Sequence, residues 1–225
     1  MLKLSTLLFF ILPLLSSAQP CNTYFTFKKG SRFEMTVYDK KDRPTMVLKY
    51  YVADIQPISG GTSFALDVET YDANGKPLSR AQTSGKCISG TYYTDVRMLN
   101  SGQMAQSADM NVAVTGDQLA YPARLSAGDK LPDASVSAKA SIQGLALMSM
   151  NMTINNRQVA GTESITTPAG TFDCVKITYA VQMRLMGNRS LTAAEWLAPG
   201  AGVVKLEQVD DKGRKVSSML LTKRD

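Results

Sequence analysis

Histidine does not occur anywhere in the 225 residues of the sequence. Its side chain is the usual base of Ser-His and Cys-His nucleophilic sites and a common zinc ligand. The chain also lacks a Gly-x-Ser-x-Gly elbow, a phosphate-binding glycine loop and a dinucleotide-binding glycine set. Carboxylate chemistry is formally open, but the pair Asp210-Asp211 lies in a predicted turn, where it is solvated. We therefore expect a non-enzymatic protein without catalytic residues, cofactor or metal site.

Long apolar runs are also scarce, and the longest lies near the start of the chain. Residues 4–15 are mostly apolar, Lys3 precedes them, and residues 16–18 are Ser-Ser-Ala. This is the layout of a cleavable secretory signal, and the run is shorter than the ~20 residues that span a bilayer. We expect residues 1–18 to be a signal peptide, with no transmembrane segment elsewhere. The mature chain would be periplasmic or extracellular in a Gram-negative bacterium.

Cysteine is rare, with three residues in the chain. An exported chain can form one disulfide from three cysteines, leaving one thiol. Cys21 and Cys87 lie beside terminus or turn signals, so we predict that they pair. Cys174 lies in an alternating strand beside Phe172, and we expect both in the core, with Cys174 reduced. Acylation of Cys21, as in a lipoprotein, is the alternative, and Pro20 disfavours it because it lies where lipoprotein processing needs a small residue.

Clusters of one charge are missing although the formal net charge is +6. Removal of Lys3 with the signal leaves +5, and the basic residues are scattered among acidic ones, the longest basic groups being pairs such as Lys28-Lys29. Aromatic residues do not interleave with these pairs as a base-stacking groove requires. We expect a solvated mixed surface that binds no nucleic acid.

Helical periodicity is nearly absent, and the main period is two. Apolar residues alternate with polar ones in segments such as 33–38, 64–69 and 135–142, which indicates half-buried antiparallel strands. Turn signals occur at 39–42, 72–75, 167–170 and 210–213. We predict one all-β domain over residues 19–225, an antiparallel meander that forms a curved half-barrel or an elongated sandwich. At most one short helix is expected, near residues 97–106.

Two glycine-rich turns and one tryptophan complete the structural expectations. The first turn contains Pro168 and Gly170, and the second contains Pro199, Gly200 and Gly202. Proline presets φ and glycine supplies a permissive position, so both segments are predicted to fix hairpin register. The single tryptophan, Trp196, precedes the second turn, and we expect it in the core with its indole N–H satisfied.

Five segments carry a resemblance to a known family. They are residues 21–25 (CNTYF), 86–95 (KCISGTYYTD), 131–134 (LPDA), 163–174 (ESITTPAGTFDC) and 195–205 (EWLAPGAGVVK). Together they resemble the TapB-like family of secreted bacterial proteins over essentially the whole mature chain, with Val175 as a departure where that family often has tyrosine. The resemblance implies an all-β domain of unknown function, loosely similar to half-barrel carriers of periplasmic lipoproteins. It implies no catalytic residues.

One methionine-rich strand is the candidate binding feature. Met148, Met150 and Met152 project from the same face if residues 145–154 are extended. These side chains could simply fill a core, since methionine packs adaptably on a curved sheet. They could instead line an apolar groove, or bind Cu(I) through their thioethers.

Three functional hypotheses follow. The first is an exported, non-enzymatic β domain that binds an apolar ligand, a lipid or a lipidated peptide, on its concave sheet face. The second is a structural or adhesive envelope module without a small-molecule ligand, and the third is Cu(I) binding through the methionine face. The expected partner is a lipid or an envelope protein, and the oligomeric state is left open.

Overall fold

The structure is a computed structural model of the chain, and it describes residues 22–95, 110–142, 145–184 and 187–225. The regular secondary structure within these ranges consists of β-strands, which confirms the predicted all-β class. The short helix expected near residues 97–106 lies outside the described residues. The strands are β1 (Arg32–Asp39), β2 (Pro44–Ile58), β3 (Gly61–Asp72), β4 (Pro77–Ile88), β5 (Thr91–Asp95), β6 (Met110–Gly116), β7 (Gln118–Pro122), β8 (Ala134–Ile142), β9 (Leu145–Thr167), β10 (Gly170–Arg184), β11 (Asn188–Ala198), β12 (Gly202–Val209) and β13 (Lys215–Arg224).

These strands form a single antiparallel sheet of 13 strands. The order is β6-β8-β9-β10-β11-β12-β13-β1-β2-β3-β4-β5-β7. Most neighbours are consecutive hairpin partners, as a meander requires. The last strand, β13, pairs with β1, so the first and last strands lie in the middle of the sheet and not at its edges.

One short connection holds the two edge strands of the sheet close together. The edge strands β6 and β7 are separated in sequence by Asp117 alone. The carboxylate of Asp117 accepts hydrogen bonds from Ser135 N at 2.8 Å and Ser135 Oγ at 2.7 Å, which ties the connection to β8. The sheet therefore curls into a nearly closed barrel, more closed than the predicted half-barrel.

Alternation along the strands explains which side chains fill the barrel. In β3, Phe64, Leu66, Val68 and Thr70 are buried, and the residues between them are partly exposed. Burial of one strand face offsets the entropy of ordering a long hairpin. Two clusters of buried side chains result, the first including Val52, Leu66, Ile177 and Leu197 and the second including Met35, Leu48, Trp196, Val204 and Leu221.

Three hairpin turns at one end of the barrel share a single mechanism. Asp39, Asp72 and Asp210 each accept hydrogen bonds from the backbone N–H groups two and four residues later, at 2.8–3.0 Å. The turns before β2, β4 and β13 coincide with the turn signals at 39–42, 72–75 and 210–213. Such side-chain bonds preset the chain reversal and so the strand register.

Candidate functional site

A coil segment lies across the other end of the barrel. Residues 22–31, here called the strap, contain no strand and lead into β1. Asn22 Nδ2 donates to Gly90 O at 3.0 Å and to Tyr121 O at 2.9 Å. These bonds fix the start of the strap beside the β4–β5 turn and β7.

The β11–β12 turn holds the next part of the strap. Gly200 N donates to Thr23 O, and Gly202 N donates to Tyr24 O, both at 2.9 Å. Gly202 has a φ of +71°, and a Cβ there would lie 3.0 Å from the ring of Phe25. The glycines of this turn therefore close a hairpin and also admit the strap, a contact that no pattern in the sequence indicates.

Aromatic rings from the strap pack into the barrel. Phe25 stacks on Tyr92 with ring centroids 4.1 Å apart and lies 5.2 Å from Tyr121. Phe27 lies 5.1 Å from Phe64 and 5.6 Å from Tyr92. Both phenylalanines are only partly buried, whereas the rings beneath them are buried. Burial raises the pKa of the Tyr92 phenol to about 12, and its hydrogen bond to Thr94 offsets part of this shift.

A buried ion pair lies next to the Tyr121 ring. Arg157 Nη2 is 3.7 Å from Glu195 Oε1, and the two side chains are 0% and 3% exposed. Arg157 Nη1 donates to Ala120 O and Pro132 O at 3.1 Å each, and the guanidinium lies 4.9 Å from the Tyr121 ring centroid. Tyr121 Oη donates to Glu195 Oε2 at 3.1 Å, so Tyr121 connects the ion pair to the strap.

The pair is incompletely satisfied. Arg157 Nε, Arg157 Nη2 and Glu195 Oε1 are buried and have no hydrogen-bond partner in the described part of the chain. Desolvation raises the pKa of Glu195, and the nearby Arg157 and the bond from Tyr121 only partly offset it. Buried polar atoms without hydrogen-bond partners are costly, so the ion pair lowers the stability that an apolar core of the same shape would give.

A bulge in β9 turns Arg157 inward. Ala180 of β10 pairs with Asn155, and Thr178 pairs with Gln158, so β9 carries one extra residue there. Asn156 takes a φ of +57° at this point. The bulge shifts the alternation, and consequently Ile154 and Arg157, three residues apart, are both buried. The dipeptide Asn155-Asn156 is the signal in the sequence that could have indicated it.

The methionine face lies within the core. Met150 and Met152 are each 4% exposed and belong to the first cluster. They pair in register with Ala138 and Val136 of β8. Met148 is in β9, but its side chain lies outside the described part of the structure. The two described thioethers are thus packed, as the core-filling interpretation expects.

The cysteines occupy distinct environments. Cys174 is a free, buried thiol, and burial raises its pKa to about 11. Cys87, at the end of β4 beside the strap, is buried. Cys21 lies outside the described residues, so its pairing with Cys87 stays a prediction.

Trp196 is 3% exposed and packs in the second cluster. Its indole N–H donates to Glu163 Oε1 at 2.5 Å, and the Nζ atoms of Lys205 and Lys176 lie 4.3 and 4.9 Å from its ring centroid. Phe172 is half-buried against the same cluster. These lysine stems cover the tryptophan, which explains how it is buried near a charged surface.

The two proline turns lie where the sequence placed them. Pro168 and Gly170 form the β9–β10 turn, with Gly170 at a φ of +134°, and Pro199 and Gly200 form the β11–β12 turn. Both prolines are exposed. In the described contacts the first turn reverses the chain and holds no other segment, whereas the second turn also binds the strap.

The fold is thus that of an all-β protein, a nearly closed antiparallel barrel with a strap across one end. The chain belongs to the DUF3108-like family, whose model matches residues 28–221. The narrower resemblance to the TapB-like family stays a prediction. No curated protein shows significant similarity to the chain.

Two solved structures share the fold. One, from Bacteroides fragilis, is described as an exported protein with a YmcC-like fold; it is 24% identical, with a TM-score of 0.79, and the alignment covers 91% of this chain and 100% of that one. The other, from Parabacteroides distasonis, is described as a lipoprotein; it is 25% identical, with a TM-score of 0.79 and coverage of 92% and 100%. Within the described ranges, no helix is long and apolar enough to cross a membrane.

Proposed function

We propose that this protein is an exported, non-enzymatic envelope protein that binds an apolar ligand, a lipid or a lipidated peptide, inside the barrel beneath the strap. One observation carries the proposal: a coil segment places Phe25 and Phe27, both only partly buried, over a layer of buried aromatic rings. The strap occupies the position that an apolar ligand would take. Ligand entry then requires displacement of the strap and not of a strand.

The strap is the displaceable part of this end of the barrel. The strap makes two backbone hydrogen bonds to the β11–β12 turn, two to Val52 of β2 at its last residues, Gly30 and Ser31, and one internal bond from Ser31 N to Lys28 O. The neighbouring strands carry full ladders, for example between β2 and β3. Segments with few backbone bonds and partly exposed apolar contacts open at lower free energy than core strands. Such an element suits an entrance.

Two findings support an envelope location. Residues 1–18 have the composition of a secretory signal. The two structural relatives are described as an exported protein and a lipoprotein. A non-enzymatic role is supported by the lack of histidine and by the burial of Glu195, which Tyr121 and Arg157 already engage.

A structural or adhesive envelope module is the second candidate. The packing of Met150 and Met152 in the core favours it, because a side-chain-filled barrel leaves its outer surface and edges for interactions. The two candidates differ in one respect. Only the first gives the strap a function beyond stability.

Competition between the strap and a probe tests the proposal. We would titrate the mature protein with N-phenyl-1-naphthylamine, an apolar dye whose emission rises on binding, and repeat the titration with Phe27→Ala. Loss of the Phe27 ring weakens the strap, raises the fraction of binding-competent protein and should tighten apparent dye binding about fivefold or more.

Phe172→Ala is the matched control, because Phe172 is also half-buried but packs on the second cluster. It should leave dye affinity at the value of the parent protein. Equal tightening in both variants would indicate general loosening of the barrel. That result, or no dye binding by either the parent or Phe27→Ala, would overturn the proposal in favour of the structural module.

A further inference from the structure

The buried ion pair presents a donor and an acceptor without partners at a short separation. Arg157 Nη2 and Glu195 Oε1 are 3.7 Å apart, beyond hydrogen-bond distance. Both atoms, and Arg157 Nε, have no hydrogen-bond partner within the described residues. Each atom is buried, so a ligand atom reaches it only when neighbouring side chains move aside. Once exposed, the pair would offer a donor side and an acceptor side to a polar group.

The chemistry of these atoms selects the class of group they would bind. Arg157 can only donate, and the Glu195 carboxylate can only accept. An anionic group would be repelled by Glu195, and a cationic group by Arg157. A neutral group that both accepts and donates, such as a carboxamide, matches both sides. Buried polar sites of this kind discriminate strongly, because the wrong group leaves them unpaired.

The location connects this pair to the apolar site. Tyr121 donates to Glu195, lies under the Arg157 guanidinium and is 5.2 Å from the strap residue Phe25. Displacement of Phe25 would uncover Tyr121, which contacts both members of the ion pair. An apolar chain in the aromatic layer would then direct its polar end to Arg157 and Glu195.

We propose that Arg157 and Glu195 bind the amide group of an acyl-amide ligand whose apolar chain replaces the strap. This inference rests on the proposed function and names the ligand class for the same site. The amide oxygen accepts from Arg157 Nε or Nη2, and the amide N–H donates to Glu195 Oε1. The bulge at Asn156, which turns Arg157 inward, is the structural device that forms the site.

The test compares three eight-carbon compounds that differ only in the head group: octanamide, octanoate and octylammonium. Each compound is titrated at pH 7 into the mature protein with bound N-phenyl-1-naphthylamine, and the loss of dye emission measures its competition. We expect octanamide to compete about tenfold more strongly than either charged compound. This order is measured on the unmodified protein and does not depend on any variant folding.

A charge substitution sharpens the test. In Glu195→Gln the arginine keeps its charge without a carboxylate beside it, so octanoate should gain at least about tenfold and overtake octanamide. Glu207→Gln removes the same charge from a partly exposed position on β12 and should leave the order unchanged. The circular dichroism spectrum and Trp196 emission establish that each variant is folded.

The outcomes separate the two proposals. If the dye binds but all three compounds compete equally, the ion pair is structural, and the ligand-class inference is overturned while the proposed function stands. If octanoate wins on the unmodified protein, the inference is also wrong. If neither the dye nor any compound binds to the parent or to Phe27→Ala, both proposals fail.

Discussion

Removal of one partner from the Arg157–Glu195 pair should destabilise the barrel strongly. In Glu195→Ala, Arg157 remains buried and keeps only Ala120 O, Pro132 O and the face of Tyr121. The attraction lost at 3.7 Å is about 4 kcal/mol at an effective dielectric constant of about 20. Measured losses for broken buried pairs are about 3–5 kcal/mol, and we expect the same here.

The assay is urea denaturation followed by Trp196 emission, with a double-mutant cycle. Arg157→Met combined with Glu195→Leu removes both charges and should cost less than Glu195→Ala alone. Asp54→Ala is the control, because Asp54 pairs with Lys29 on the exposed surface and should change stability far less. A cost below about 1 kcal/mol for Glu195→Ala, or a double variant as costly as the sum of its singles, would refute the reasoning.

The same pair predicts a pH dependence. Burial raises the pKa of Glu195 above its usual value of 4.5. Below that value the carboxyl is protonated in both the folded and the unfolded state, and its contribution to stability is fully present. As the pH rises, the unfolded carboxyl ionises first, so this contribution is lost through the raised pKa. The stability of the parent relative to Glu195→Gln should therefore fall from pH 4 to pH 7; a constant difference would contradict the prediction.

Three further predictions concern the core. Trp196→Ala should cost about 3–5 kcal/mol, and the native protein should show blue-shifted emission, whereas emission like that of free tryptophan would contradict burial. Non-reducing peptide mapping should find Cys21 linked to Cys87, a closed loop of about 66 residues that contributes roughly 4 kcal/mol; a bridge through Cys174, or an acylated Cys21, would contradict the assignment. Met150→Ser should lower stability by about 2–5 kcal/mol with no effect on Cu(I) titration; loss of dye binding or of Cu(I) binding without destabilisation would instead support a methionine-lined site.

Strand positions could be predicted from the sequence because alternation reports burial directly. The segments around Phe64 and Val136 and the Asp-initiated turns appear where the pattern placed them. Closure of the sheet could not be predicted in the same way. It depends on β6 and β7 being opposite edges joined through Asp117, a long-range pairing that local periodicity does not encode.

The candidate site was the hardest part to predict. The methionine strand was identified by its composition, but packing against Val136 and Ala138 decides that Met150 and Met152 fill the core. The strap and the burial of Arg157 could not be predicted from the sequence, for a different reason. A coil has no period, and a bulge breaks the period at the residue that matters.

Native mass spectrometry of the protein purified from its own envelope can detect a ligand in the barrel directly. The mature chain should carry a noncovalent apolar ligand, with the added mass lost in organic solvent. The fraction with ligand should rise in Phe27→Ala and stay unchanged in Phe172→Ala. Only the bare mass of the chain in all three proteins, under conditions gentle enough to keep noncovalent complexes, would contradict the account.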